Sequence, residues 1–212
     1  MSSTSEFEYA NIFYKSRLTL MELLDSRGYE TTPFSRFSPK ETKAMSTYLI
    51  SADLLAPHKE DPEKKCAVLY IDSKPKISIT ELVQSRMKGD FDFTQLEVIL
   101  MVKATEVSEA YTQIAYADWV KYKLRVSAFA IYGLNNNPTK HVLVPKHEIV
   151  PEEEHEGLLE KLMVNSKSQL PIIRFHFDMQ ARWLGLVPGD IVKITRPSPS
   201  AGVYIMYRVC AL

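Results

Sequence analysis

The chain has 212 residues, of which 45% are hydrophobic, and its 26 Lys and Arg balance 26 Asp and Glu. This is length for one large domain or two small ones, and the composition excludes collagen-like and wholly disordered classes. With a formal net charge of zero, no global basic field draws the molecule onto nucleic acid or an anionic membrane, so any such contact must be local. No apolar run approaches the roughly 18 residues of a bilayer span, and residues 1–15 carry acids and aromatics in place of a charged-then-apolar leader. A secreted or membrane destination is therefore not expected. Cys66 and Cys210 lie far apart and in no Cys-x-x-Cys pair, which reads as two thiols in a reducing compartment.

At the start of the chain, Phe13, Leu20 and Leu24 stack on one helical face and Gly28 follows where the helix would stop, predicting an amphipathic helix of about 15 residues. Residues 31–64 read as loop, a weak helix near Leu49–Leu55, then loop. Cys66–Ile71 and Leu96–Val102 are continuous apolar runs with the character of buried strands, separated by helical character at Ile79–Met87. A helix over 108–122 and a strand over Val126–Tyr132 follow, so the first part of the chain is read as α/β. The turn cluster Gly133–Thr139 is the expected linker, giving an N-terminal domain over 1–140 and a C-terminal domain over 141–212.

In the second domain, Pro151 and the acids Glu152, Glu153, Glu154 and Glu156 suit a helix N-terminus, with Leu158, Leu159, Leu162 and Met163 as its apolar face. Asp190–Thr195 and Val203–Val209 form a strand pair joined by a proline-rich connection over 196–202. The alternation places Val203, Ile205, Tyr207 and Val209 on one face, expected to be the core face. The fold class is thus α+β: an α/β domain followed by a small mixed domain.

Little in the sequence marks an enzyme. None of the seven glycines sits in a phosphate-binding loop, no His pair has metal-ligand spacing, and no nucleophile elbow is present. No metal, cofactor or small-molecule substrate is expected. His141 and His147 read as surface or capping residues. Asp72-Ser73-Lys74 closes a strand in the way metal-dependent nucleases hold a divalent ion and stabilise the attacking water, with Asp72 as ligand and Lys74 as cation. That chemistry needs a second carboxylate, and the only nearby acid–proline pair, Asp61-Pro62, runs in the wrong order. A nuclease remains one alternative reading and a free-standing protein-binding module another.

Several short blocks in the last 70 or so residues occur in a distinctive order: His141–His147 (HVLVPKH), Ser168-Gln169-Leu170-Pro171, Trp183-Leu184-Gly185-Leu186, Gly189–Ile194, Arg196, Ser200-Ala201-Gly202 and Tyr204–Arg208. Together they resemble the assembly domain of the fifth common subunit of eukaryotic nuclear RNA polymerases, a domain that archaeal RNA polymerases share. Asp25-Ser26-Arg27-Gly28-Tyr29 is similar to the end of the family's first helix. The resemblance implies a non-catalytic subunit with an assembly domain that docks on the largest subunit. It also implies a jaw domain of nuclease-like topology that projects toward downstream duplex DNA. On this reading the chain is nuclear, with Trp183, Arg196, Tyr204 and Arg208 as the patch facing the largest subunit.

The chain departs from the family pattern where charges have become apolar or neutral, at Ile172, Val187-Pro188, Pro199 and Val203. Over residues 170–212, Arg174, Arg182, Lys193, Arg196 and Arg208 still outnumber Asp178 and Asp190. The DNA-facing loop of the jaw corresponds to residues 105–110, where Thr105 and Ser108 offer hydroxyls but Glu106 and Glu109 repel phosphate. These departures point to a paralogue dedicated to one polymerase class, RNA polymerase I, and hence to a nucleolar location, the alternative being a divergent lineage in which one copy still serves all classes.

Overall fold

The computed structural model describes residues 3–212 apart from 74, 76 and 90, without the side chains of 3–7 and 39. The chain is α+β and divides into a unit ending at Asn137 and a unit beginning at Pro138. Among the described residues, no helix is long and apolar enough to cross a membrane.

The N-terminal unit opens with α1 (Ser3–Ser26), well beyond the expected 15 residues. The helix persists toward the chain start because Tyr9 continues its packed face: its ring lies 6.3 Å from Phe13 and 5.7 Å from Tyr132. Phe13, Leu20 and Leu24 are fully buried, as the periodicity predicts, and Leu23 is buried as well. α1 ends at Gly28, whose φ of +84° is a left-handed conformation that a side chain would strain. A Cβ there would also stand 2.6 Å from His58 Nε2.

The segment read as loop and weak helix is more ordered than expected. Helix α2 (Pro39–Thr47) starts from a capping box, the Ser38 side chain accepting from the Glu41 amide and the Glu41 carboxylate accepting from the Ser38 amide. A 3-10 turn over Leu49–Ala52 then leads into strand β1 (Leu54–Pro57), where a helix had been expected. The cause is non-local: β1 pairs antiparallel with β2 (Lys65–Ile71), Leu54 opposite Val68, and Asp53 accepts from the Tyr70 amide at 2.7 Å.

Two crossovers complete the sheet. Helix α3 (Ile79–Met87) links β2 to the parallel β3 (Leu96–Val102), and α4 (Glu109–Tyr122) links β3 to the parallel β4 (Arg125–Ala130). The strand order is β1-β2-β3-β4. All of β3, and all but the first residue of β2 and β4, are buried, as parallel strands covered on both faces must be. One ion pair is buried in this layer. Arg27 meets Glu97 of β3, the Tyr29 hydroxyl donates to the same carboxylate at 2.8 Å, and Arg27 also reaches Ser127 of β4. The Asp25–Tyr29 motif is therefore the clamp between the end of α1 and the sheet.

The C-terminal unit is a four-stranded sheet in the order β5-β7-β8-β6. Its strands are β5 (Lys146–Val150), β6 (Ile172–Arg174), β7 (Ile191–Ser198) and β8 (Gly202–Ala211). Neighbours are antiparallel except β6, which runs parallel to the end of β8. On one side Val150, Leu170, Ile191 and Val209 form a core with Leu158 and Leu159 of α5 (His155–Lys161). Helix α6 (Met179–Leu184) is capped by Asp178 and ends at Gly185, φ +68°.

Two expectations for this unit change. α5 ends at Lys161, and Met163, placed on its apolar face from the sequence, is 94% exposed beyond the helix end. The face of β8 is core only toward its C-terminal end: Val209 is buried, whereas Val203 and Ile205 are 59% and 46% exposed. The hairpin is longer than the sheet beneath it, because β7 and β8 continue to pair through Pro197↔Val203 and Ser198↔Gly202. Pro197 is tolerated because the ladder alternates. Cys210 bonds back to Asp190, so even-numbered residues of β8 face β7, and the Pro197↔Val203 pair needs no amide from Pro197. The proline-rich connection thus shrinks to a turn over residues 199–201.

Candidate functional site

The sequence-derived patch of Trp183, Arg196, Tyr204 and Arg208 separates into one core residue and three surface residues. Trp183 is 2% exposed, so it supports α6 from within and is not part of the exposed patch. Arg196 and Tyr204 are a cross-strand pair, the guanidinium lying 4.9 Å from the ring centroid. Arg208 Nη1 donates to the Ile172 carbonyl at 2.9 Å, tying β8 to the start of β6. Arg196 and Arg208 both line an open depression of about 340 Å³, together with His147, Asp178, Gln180 and Met206.

Leu143, Val144 and Pro145 form another wall of this depression, which gives the HVLVPKH block a role that sequence reasoning did not assign. The block is held locally: the Leu143 amide donates to His141 Nδ1 at 3.2 Å, the Val144 amide donates to the His141 carbonyl, and His147 Nδ1 lies 2.7 Å from the Pro145 carbonyl. This turn leaves Val142 92% exposed. Leu143, Phe177 and Ile172 are also exposed, and Arg174 lies over the Phe177 ring at 5.6 Å. A surface combining stacked arginines with exposed aliphatic and aromatic groups is suited to a protein partner, because such side chains dominate interface energetics. The available signal was the number of apolar residues in blocks too short to bury them.

Beneath this surface, burial, with a smaller contribution from Arg182, lowers the His176 pKa to about 4. Burial likewise pushes the Cys210 thiol up to about 12, so it is no nucleophile at neutral pH.

In the N-terminal unit, Thr105 and Ser108 lie on the loop between β3 and α4, with Glu106 and Glu109 exposed beside them. Ser108 is the N-cap residue of α4, but its side chain makes no cap bond. Asp72 is exposed just past β2 and lies 3.9 Å from Lys103 Nζ, while Lys74 lies outside the described residues. Among the described residues, no cluster of three His, Cys, Asp or Glu side chains could hold a metal.

Comparison with known proteins finds relatives of the C-terminal unit and of the whole chain. Residues 136–210 match the family described as RNA polymerase Rpb5, C-terminal domain. The protein "DNA-directed RNA polymerase subunit Rpo5" of Pyrococcus horikoshii is 53% identical over 73 residues, 34% of this chain and 87% of its own length. "DNA-directed RNA polymerases IV and V subunit 5B" of Arabidopsis thaliana is 27% identical, covering 92% of this chain and 88% of its own. "DNA-directed RNA polymerases I, II, and III subunit rpabc1" of Dictyostelium discoideum is 32% identical over 205 residues, 96% of this chain and 99% of its own. Similarity of that extent runs through both units, and the chain belongs to the Rpb5 family of non-catalytic RNA polymerase subunits.

Proposed function

We propose that the chain is a structural subunit of a nuclear RNA polymerase, docked on the largest subunit through its C-terminal unit. Its N-terminal unit then serves as a jaw of nuclease-like topology near downstream duplex DNA. The observation that carries this reading is the exposed apolar and aromatic surface of the β7–β8 hairpin, Arg196 and Tyr204 on one face and Val203 and Ile205 on the other, together with the exposed Val142-Leu143 turn. Surface of that kind on one compact unit is unfavourable in water and is removed when a partner covers it. Affinity purification of the tagged chain from its native source tests the reading: the two largest polymerase subunits should be recovered in roughly stoichiometric amounts. Recovery as free protein would refute it.

The jaw loop approaches DNA without gripping it. Thr105 and Ser108 supply hydroxyls, and Glu106 and Glu109 oppose close contact with phosphate. A more specific reading assigns the subunit to RNA polymerase I and the nucleolus. Ile172, Pro199 and Val203 lie at the surface, so these departures from charge alter what a partner meets, whereas Val187 is buried and does not. The test is to purify each polymerase class separately and probe for this chain, with equal recovery from all classes counting against a dedicated paralogue.

A further inference from the structure

The two edges of the C-terminal sheet are built differently. β5 is a short edge strand bracketed by Pro145 and Pro151, and it carries the Lys146–Glu148 ion pair at 2.7 Å. Proline, charge and short length are the usual devices that stop an edge from pairing with foreign strands. β8 has no such protection. It pairs with β7 along Gly202–Val209, but β6 covers its other edge only at Val209–Ala211. From Val203 to Tyr207 that edge has no strand beside it among the described residues, and the sequence there is Val-Tyr-Ile-Met-Tyr, with neither charge nor proline.

The hydrogen-bond parity shows which groups are open. The Val209 amide points away from β7 and donates to the Pro171 carbonyl at 2.9 Å. By the two-residue alternation, the amides and carbonyls of Ile205 and Tyr207 point to the same side. A local bond already occupies the Val203 amide, which donates to the Ala201 carbonyl at 2.8 Å. The open stretch is about five residues, a common strand length.

We infer that the β8 edge receives an extended segment of the largest polymerase subunit as an added strand in line with β6, stitched through the Ile205 and Tyr207 backbone groups. Side-chain chemistry sets what that strand carries. Its residues on the face of Val203 and Ile205 are apolar, and those on the face of Arg196 and Arg208 are acidic, so the incoming segment alternates between the two. This inference rests on the docking reading and states how the docking is made.

The test uses the full chain, tagged and assembled with polymerase in its native source. In the free protein, the Ile205 and Tyr207 amides should exchange with deuterium at least about tenfold faster than those of Tyr204 and Met206, which face β7, and should become protected in the purified polymerase. Ile205→Pro removes an outward amide without touching the β7 ladder. It should leave the thermal unfolding of the free chain nearly unchanged but reduce co-purified largest subunit about tenfold. Ile205→Ala, which keeps the amide, should retain more polymerase than Ile205→Pro. Polymerase that co-purifies while the Ile205 and Tyr207 amides stay unprotected would overturn strand addition and leave docking intact. A wild-type chain that recovers no polymerase would overturn both. Protection arising instead from a dimer of this chain, detected by sedimentation of the free protein, would assign the edge to self-association and also overturn the inference.

Discussion

The N-terminal unit hides the strands of its sheet, while the C-terminal unit leaves apolar groups at its surface. In the first, β2, β3 and β4 are buried almost throughout, and the buried Glu97 of β3 is paired with Arg27 and Tyr29. In the second, Val142, Leu143, Phe177, Val203, Tyr204 and Ile205 all remain exposed. Eleven of the seventeen large apolar side chains exposed among the described residues lie beyond Asn137, in little more than a third of the chain. A small unit has too little interior to bury every apolar side chain, but size alone would scatter the excess. Here five of the eleven lie on one hairpin and one turn, and the hairpin extends past its own core. The same chemical class of residue is structural in one unit and available to a partner in the other.

This contrast can be broken most severely at the buried ion pair. Replacing Glu97 with alanine leaves the Arg27 guanidinium and the Tyr29 hydroxyl without their carboxylate, which should cost about 3–5 kcal/mol. Each unit carries one of the chain's two tryptophans, Trp119 and Trp183, so unfolding can be followed separately in Trp119→Phe and Trp183→Phe backgrounds. The Trp119 transition should fall steeply while the Trp183 transition holds. A matching fall at Trp183 would show that the units unfold as one.

Acid should separate the units in opposite senses. His176 has a folded pKa of about 4, below its ordinary 6.5, because burial disfavours the imidazolium. Between those values the unfolded state binds the proton first, so the C-terminal unit loses stability as pH falls, by about 3 kcal/mol in all. In the N-terminal unit, burial raises the Asp53 and Asp118 carboxyls, so the folded state takes up their protons first and gains stability on acidification from these groups. Between pH 6.5 and 4 the Trp183 transition should therefore drop relative to the Trp119 transition. His176→Asn should flatten that slope, since asparagine tolerates the local φ of +59°. An unchanged slope would remove His176 from the account.

Gly28→Ala should cost roughly 2 kcal/mol, combining left-handed strain with the approach to His58. Adding His58→Ala should relieve only the second part, and the coupling between the two changes measures it.

The sequence disclosed what rests on local pattern. β3 and α3 occupy the residues their apolar runs and helical spacing indicate, because a continuous apolar run of seven or a capped amphipathic turn carries its own signal. β1 was hidden because its strand conformation comes from pairing with β2, a contact made across a loop. Trp183 and Tyr204 show the same limit at the candidate site. Aromatic side chains suit both cores and interfaces, so their spacing could not reveal that Trp183 is buried near the end of α6 while Tyr204 stacks under Arg196 in solvent. The Val142-Leu143 turn was visible as a motif, but its exposure depends on the local bonds to His141.

The smallest expected change in stability belongs to the hairpin tip and bears on which polymerase contains the chain. Val203 stands where the family pattern carries a charge, and at 59% exposure it contributes little to the core. Val203→Arg should therefore shift unfolding by no more than about 0.5 kcal/mol. At an interface the same change has a different weight. If the partner surface has become apolar to match Val203, a guanidinium there loses its hydration without gaining a counter-charge, and association should fall about tenfold. If the partner instead presents an acid there, the change forms an ion pair and association holds or improves. Recovery of each polymerase class with the wild-type chain and with Val203→Arg separates these cases. Loss confined to RNA polymerase I would support a dedicated paralogue, and a gain with every class would mark the chain as a divergent copy of a shared subunit.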